Sequence, residues 1–363
     1  MSAAVGAVER VDAGLRPRAR SMPQTATARL LLLGCGGVGR ALLQRLHALR
    51  EPLPLIGVAN SRRALLRTAG IDPLLASDRL GDAAPRPSND ELVGVLRRGD
   101  VVIDASASAE LASLHPTWLR LGLHVVTANK LGRGGPLERH HAIEAACNEQ
   151  GVCYGDAATV GAGLPFLRTL RALRDGGDRI VSLAGLLSGT LGWLLDGFDG
   201  SLPFSDRVDQ AQRAGITEPD PRNDLSGEDV RRKLLILLRS VGVALEPEAI
   251  KLRSLLGGSE SIDVLDRRLG EAAARAERRG GVLHYVARYD AHCGARVGLE
   301  ILDRDDPLAN SGSHNALQIR SCRYDQQSLL LQGPGAGNTI TAAALLDDVR
   351  KIVAGVSGLG RIR

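Results

Sequence analysis

The chain has 363 residues, 44% hydrophobic and 24% charged, with a formal net charge of +5. This is an ordinary globular composition, long enough for two domains. Aromatic residues are only 2%, so a base-stacking platform is excluded. The positive charge is scattered rather than blocked, so no nucleic-acid partner is expected. Five cysteines form no CxxC pair and read as free thiols of a reducing compartment, which fits the cytoplasm. No apolar run approaches the ~20 residues of a membrane span.

Residues 1–28 are rich in Ala and Arg, carry only Glu9 and Asp12 as acids, and lack the apolar core of a secretory signal. They read as a disordered leader, with Met22 a second candidate start. Residues 29–33 form a short apolar run ending in Gly34-Cys35-Gly36-Gly37-Val38-Gly39, and a helical stretch follows. Strand, G-x-G-x-x-G and helix in that order make a dinucleotide site: the glycines allow a tight turn and bring backbone N–H groups to a pyrophosphate. Gly34, Gly36, Gly37, Val38 and Gly39 are therefore candidate cofactor residues. A second strand over residues 55–59 ends in Asn60-Ser61-Arg62-Arg63. An NAD-selective site places Asp or Glu near here, whereas two arginines suit a 2′-phosphate. NADP(H) is thus expected in preference to NAD(H), with Arg62 and Arg63 as contacts; the competing reading is the start of a solvated helix.

Residues 101–106 read as a further buried strand ending at Ser106, another candidate cofactor contact, and Lys130 follows the apolar run 123–126 at a strand's carboxyl end. From about residue 156 the alternation of strand and helix stops. The segments 282–288 and 297–302 look like strands of an α+β unit, and a second glycine-rich helix start, Gly333 to Ala342, returns to the first unit. The expected fold is α/β. A parallel-sheet nucleotide domain covers 29–155 plus about 318–363, and a second α+β domain covers 156–317.

Only four of the 46 basic residues are lysine: Lys130, Lys233, Lys251 and Lys351. Arginine keeps its proton where a desolvated lysine can release one, so lysine in an arginine chain asks for a reason. Lys233 closes the stretch Gly215-Ile216-Thr217-Glu218-Pro219-Asp220-Pro221-Arg222-Asn223-Asp224-Leu225-Ser226-Gly227-Glu228-Asp229-Val230-Arg231-Arg232-Lys233, which holds five carboxylates. Asp229 and Lys233 are spaced to share one helix face. Beside a pocket they offer an anion for a substrate ammonium and an amine to move a proton. The plain alternative is a helix-surface ion pair with Ser226 and Asp229 as a capping box. Lys251 and Lys351 have no such setting and are expected to be solvated.

These motifs together resemble homoserine dehydrogenase from about Leu30 onward, most closely the dehydrogenase half of bifunctional aspartokinase–homoserine dehydrogenases, with no kinase half. The likeness is strongest in 215–238, Leu187 to Leu191, Val160 to Pro165, Ala128 to Lys130 and Gly335 to Ala342. It implies a Rossmann-type nucleotide domain, a second domain for substrate binding and homodimer formation, and reversible NAD(P)-dependent interconversion of L-aspartate 4-semialdehyde and L-homoserine. It further implies Lys233 as proton donor and Lys130 as its assistant beside the nicotinamide. Glu218, Asp224, Asp229, Thr190, Gly215 and Thr217 would hold the amino acid, and Gly337 would close over the cofactor. A monovalent cation, Na+ or K+, would sit on backbone carbonyls of Val160, Ala162 and Leu164, with Ala157 where relatives carry an acid. Two further departures are Asn223 for Asp and Ile216 for Tyr. Weak threonine feedback at most is expected.

Two rival readings remain at this stage. Aspartate-semialdehyde dehydrogenase chemistry needs a nucleophilic cysteine with a basic partner, and Cys35, Cys147, Cys153, Cys293 and Cys322 show no such setting. A silent nucleotide-sensing protein of the same fold is the other.

Overall fold

A computed structural model of the protein describes residues 28–256 and 262–355. The leader expected over 1–28 lies, Ala28 apart, outside the described residues. Two sheets organise the chain. The first runs β4-β3-β2-β1-β5-β6-β7, from β1 (Leu30–Leu33), β2 (Leu55–Ala59), β3 (Arg63–Leu66), β4 (Ala84–Pro85), β5 (Val101–Asp104), β6 (His124–Thr127) and β7 (Tyr154–Gly155). Strands β2, β1, β5, β6 and β7 are parallel, while β3 and β4 add an antiparallel edge. The central strands read LLLL, LIGVA and VVID and are buried throughout, as a parallel sheet covered on both faces requires. Leu30 and Leu32 face one apolar layer and Leu31 and Leu33 the other. Each buried leucine is worth roughly 1.5–3 kcal/mol. Arg63 opens strand β3, paired between β2 and β4, not the solvated helix of the competing reading.

The second sheet runs β13-β12-β8-β10-β11-β9, from β8 (Ile180–Leu186), β9 (Lys251–Leu252), β10 (Gly281–Asp290), β11 (Gly294–Asp303), β12 (Asn315–Ser321) and β13 (Leu329–Gly333). It is antiparallel except where β9 joins β11. One face packs against helices, chiefly Leu234 to Leu238 of Glu228–Ser240. The other carries a small cluster around Leu186, Val286, Leu302 and Leu308 that contains no helical residue. Strands β12 and β13 stay with this sheet, so the return expected at about 318 begins instead with the helix Asn338–Val353. That helix packs through Ala342, Leu345 and Val349 into the apolar layer shared by the first sheet and the helix Gly37–His47. Among the described residues no helix is long and apolar enough to cross a membrane.

Candidate active site

The carboxyl ends of β1, β2 and β5 converge on the glycine turn. Gly34 sits at φ +97°, and a Cβ there would lie 2.8 Å from the backbone of Ala105. No other residue fits without strain. A Cβ on Gly36 would meet nothing, one on Gly39 would strike the Gly34 carbonyl, and one on Gly37 would strike the Asn338 carboxamide. The helix Gly37–His47 has no side-chain cap at Gly36, so its first-turn N–H groups remain available to an anion. These features fit a dinucleotide. Gly337, at φ +124°, precedes Asn338 and so stands over this turn.

Beside the turn, a cavity of about 170 Å³ is lined by Gly34, Asn60, Ser61, Arg86, Ser106 and Glu110. The two arginines named from sequence part here. Arg62 is exposed, whereas Arg63 donates to Ala83 O at 2.7 Å and is spent on the sheet edge. Asn60 stands where an NAD-binding acid would, and its Oδ1 accepts from the N–H groups of Arg62 and Arg63, both at 2.8 Å. Arg86 lines the cavity and was not anticipated, because it follows the two-residue strand β4 at the sheet edge, which leaves no pattern in the sequence.

Beneath the cleft lies a buried polar network. Asp104 Oδ1 accepts from Ser106 Oγ at 2.6 Å, and its Oδ2 accepts from Asn129 Nδ2 at 2.9 Å. Asp104 Oδ2 also pairs with His115 Nε2 at 3.0 Å, and His115 Nδ1 meets Tyr154 Oη at 2.9 Å. Asn129 Nδ2 donates to Ser108 O at 2.8 Å, and Asn129 Oδ1 accepts from Leu131 N at 3.1 Å. Asn129 thus fixes the backbone on both sides of Lys130.

Lys130 faces the acid-rich loop. Its Nζ lies 3.4 Å from Asp229 Oδ1, while Lys233 Nζ lies 2.7 Å from Asp229 Oδ2 and donates to Leu187 O at 2.7 Å. The Lys233 side chain is 12% exposed and that of Asp229 43%. Partial burial opposes ionisation of Asp229, but the charges of Lys233 and then Lys130 outweigh it and hold the carboxyl well below the usual carboxylate range. The helix begins at Glu228 with Gly227 as its cap at φ +75°. A Cβ on Gly227 would strike the Tyr285 hydroxyl. No capping box forms: Ser226 Oγ donates to Asn223 O at 2.6 Å and accepts from Glu228 N at 3.2 Å.

The rest of the loop knits itself together. Glu218 N donates to Asp224 Oδ2 at 2.8 Å, and Asn223 Nδ2 donates to Glu218 Oε2 at 3.1 Å. Asn223 therefore supplies a donor where an aspartate would repel Glu218. Thr190 Oγ1 donates to Ile216 O at 3.0 Å, which brings the helix Gly189–Leu195 to the Gly215–Glu218 turn, and Thr217 Oγ1 donates to Glu218 O at 3.0 Å. Ile216 packs against the second core.

At the other glycine bend, Gly161 and Ala162 both take left-handed conformations, φ +74° and +51°. Leu164 O already accepts from Phe166 N at 2.9 Å. Ala157 N donates to Asp348 Oδ2 at 3.0 Å, which ties the last helix to the bend. Asp156 is committed to Arg171 at 2.7 Å and Arg133 at 3.1 Å, and Asp348 to Ala157 N and Arg168, so both carboxyls at the bend are already engaged. No group of three or more His, Cys, Asp or Glu with metal-ligand geometry occurs among the described residues. Lys251 is exposed as expected, but Lys351 is half-buried beside Asp347, Asp348 and Arg168, and burial lowers its ammonium pKa. Burial also raises the Cys35 thiol and pushes Cys147 up to about 12, so neither is a ready thiolate.

Comparison with known proteins now bears on this geometry. A family model for homoserine dehydrogenase matches residues 165–349, and one for the homoserine dehydrogenase NAD-binding domain matches 34–154. The bifunctional aspartokinase/homoserine dehydrogenase 2 of Escherichia coli is 39% identical over 89% of the chain; the chain spans 43% of that relative. The homoserine dehydrogenase of Emericella nidulans is 35% identical over 89% of the chain and 97% of its own length. Among solved structures, a homoserine dehydrogenase from Thiobacillus denitrificans superposes with a TM-score of 0.73 at 25% identity, covering 93% of this chain and 76% of that one. A hyperthermophilic archaeal homoserine dehydrogenase in complex with NADPH shares the fold, with a TM-score of 0.74 at 23% identity over 92% of this chain and 99% of that one. With two family models spanning both sheets and a relative matched over 97% of its length, this chain belongs to the homoserine dehydrogenase family of NAD(P)-dependent oxidoreductases.

Proposed function

We propose that this chain catalyses the reversible reduction of L-aspartate 4-semialdehyde to L-homoserine. The observation that carries the reading is the convergence of Lys233 and Lys130 on one carboxylate, Asp229, at 2.7 and 3.4 Å. Lys233 has three N–H donors. One is taken by Leu187 O and one by Asp229, which leaves one for a substrate oxygen. When bound, the reduced nicotinamide supplies the hydride. Lys233 Nζ gives its proton to the oxygen as negative charge develops on it, and takes the proton back in the reverse direction. Lys130 adds a second positive charge on the same side, and Asp229 keeps both amines aimed. Glu218, Asp224 and Asp229 hold the substrate ammonium, with Thr190, Gly215 and Thr217 lining its site.

The turn Gly34 to Gly39, with Ser106 and Gly337, would hold the dinucleotide. NADP(H) is the proposed partner in preference to NAD(H), supported by Arg86 in the cavity wall, by the exposed Arg62 next to the lining residue Ser61, and by an amide, not an acid, at Asn60. The carbonyls of Ala157, Val160, Ala162 and Leu164 would hold Na+ or K+, since neutral hard oxygens suit such an ion. The left-handed Ala162 supports this, because backbone strain of that kind concentrates at functional sites. A homodimer formed through the second sheet is also proposed, on the face whose apolar cluster has no helical cover, together with a cytoplasmic location, suited to five cysteines that form no CxxC pair.

Steady-state reduction of NADP+ by L-homoserine, at alkaline pH with K+ or Na+ present, tests the reading. Turnover is expected, and it should rise on adding KCl at constant ionic strength. No turnover with NADP+ or NAD+, alongside intact NADPH binding, would favour the silent nucleotide-sensing reading.

A further inference from the structure

The turn after Lys130 has its carbonyls claimed one after another. Gly134 N donates to Lys130 O at 2.8 Å and Arg139 Nη1 to Leu131 O at 2.8 Å. Arg239 Nη1 donates to both Arg133 O and Gly135 O, the latter at 2.7 Å. Arg239 belongs to the helix Glu228–Ser240 that also carries Asp229 and Lys233. Its side chain is 0% exposed, and its other nitrogens, Nε and Nη2, donate to Leu245 O at 3.2 and 2.6 Å. Glu246 Oε2, 3.9 Å from Arg239 Nη2, accepts from Leu137 N at 2.9 Å. The planar fork of a guanidinium suits this task, and lysine offers no equivalent. A charge buried this deeply persists only where its donors are satisfied, and here backbone carbonyls from both sides of the cleft satisfy it.

Lys130 comes from the first sheet and Lys233 from the second layer, and the proposed chemistry needs both at one carboxylate. We infer that Arg239 is a positioning residue, which holds the Lys130 turn in register with the Asp229–Lys233 helix. It touches none of the proposed substrate or cofactor residues and acts through Arg133 and Gly135. The inference rests on the proposed roles of Lys130 and Lys233.

A mutant cycle tests it, using the full chain and starting from a wild type shown to turn over L-homoserine. Arg239→Met should lower kcat roughly 10- to 10²-fold, the scale of a displacement of about 1 Å. The Kd for NADPH, read by fluorescence, should stay unchanged, and Arg239→Lys should recover part of the loss. In the Arg239→Met background, Lys130→Ala should cost far less than it does in wild type, because neighbouring groups that act as a unit are non-additive. If the two kcat losses simply multiply, the inference is overturned. The same holds if neither Arg239 variant folds, for Arg239 is then a structural residue. A wild type without turnover strikes the proposed reaction itself, which the cycle distinguishes because its corners are read only in an active enzyme.

Discussion

The glycine turn and the acid–lysine loop build binding sites by opposite means. The turn works by omission: Gly34, Gly37 and Gly39 leave no room for side chains, so the proposed binding falls to the backbone. The loop works by accumulation, bringing Lys130 and Lys233 to within 3.4 and 2.7 Å of one carboxylate, Asp229. Damage to the first should appear in stability and cofactor affinity, and damage to the second in turnover. In the proposed reaction the first would hold the reductant and the second would place the proton.

The sharpest test of that contrast is Lys233→Ala, expected to lower kcat about 10²–10⁴-fold while the Kd for NADPH measured by fluorescence titration is unmoved. A matching rise in that Kd would erase the distinction. Asp229→Asn comes next, since charged hydrogen bonds are worth about 1.5–3 kcal/mol, and kcat/KM for L-homoserine should fall roughly tenfold or more. Its effect on stability has a sign. A carboxyl whose folded pKa is lowered contributes fully above its ordinary value of 3.8, and the contribution is lost as pH falls from there toward the lowered folded value. The melting-temperature advantage of wild type over Asp229→Asn should therefore be largest near neutrality and vanish in acid.

On the glycine side, Gly34→Ala should cost about 1–3 kcal/mol of stability, because it forces a left-handed alanine against Ala105, and calorimetry reads this directly. Arg86→Ala and Arg62→Ala should each reduce the preference for NADP+ over NAD+ by about tenfold, the loss of one charged hydrogen bond. The smallest effect is expected from Arg63→Ala, less than about threefold on the same ratio, because that guanidinium already serves Ala83 O. A large effect at Arg63 and none at Arg86 would reverse the assignment.

What the sequence disclosed follows from how far apart the interacting residues are. Strand, glycine turn and helix are contiguous, so β1 and the glycine turn were readable, as was the i,i+4 relation of Asp229 and Lys233. The alternative of a Ser226 capping box failed on one residue, because Gly227 enters the left-handed region and starts the helix itself. The approach of Lys130 to Asp229 and the grip of Arg239 on Arg133 span about a hundred positions each and leave no local pattern. The Asp104, His115 and Tyr154 network is likewise invisible, since each residue alone looks like part of an apolar strand or helix. Strands β12 and β13 border the glycine-rich start of the last helix, and their composition resembled the segment that returns to the first sheet.

That returning helix has a consequence for how the protein is made. Ala342, Leu345 and Val349 lie in the same apolar layer as Leu30, Leu42 and Ile103. During synthesis one face of the first sheet therefore stays only partly covered, by the helices Gly37–His47 and Pro73–Leu80, until the helix Asn338–Val353 has emerged, after every strand of the second sheet. Domains ordinarily complete themselves from the amino terminus onward, and contacts this distant in sequence are slow to close. Here the order is inverted: the sheet that emerges before the other is completed after it, and the turn proposed to hold the cofactor is finished only when Asn338 arrives over Gly37.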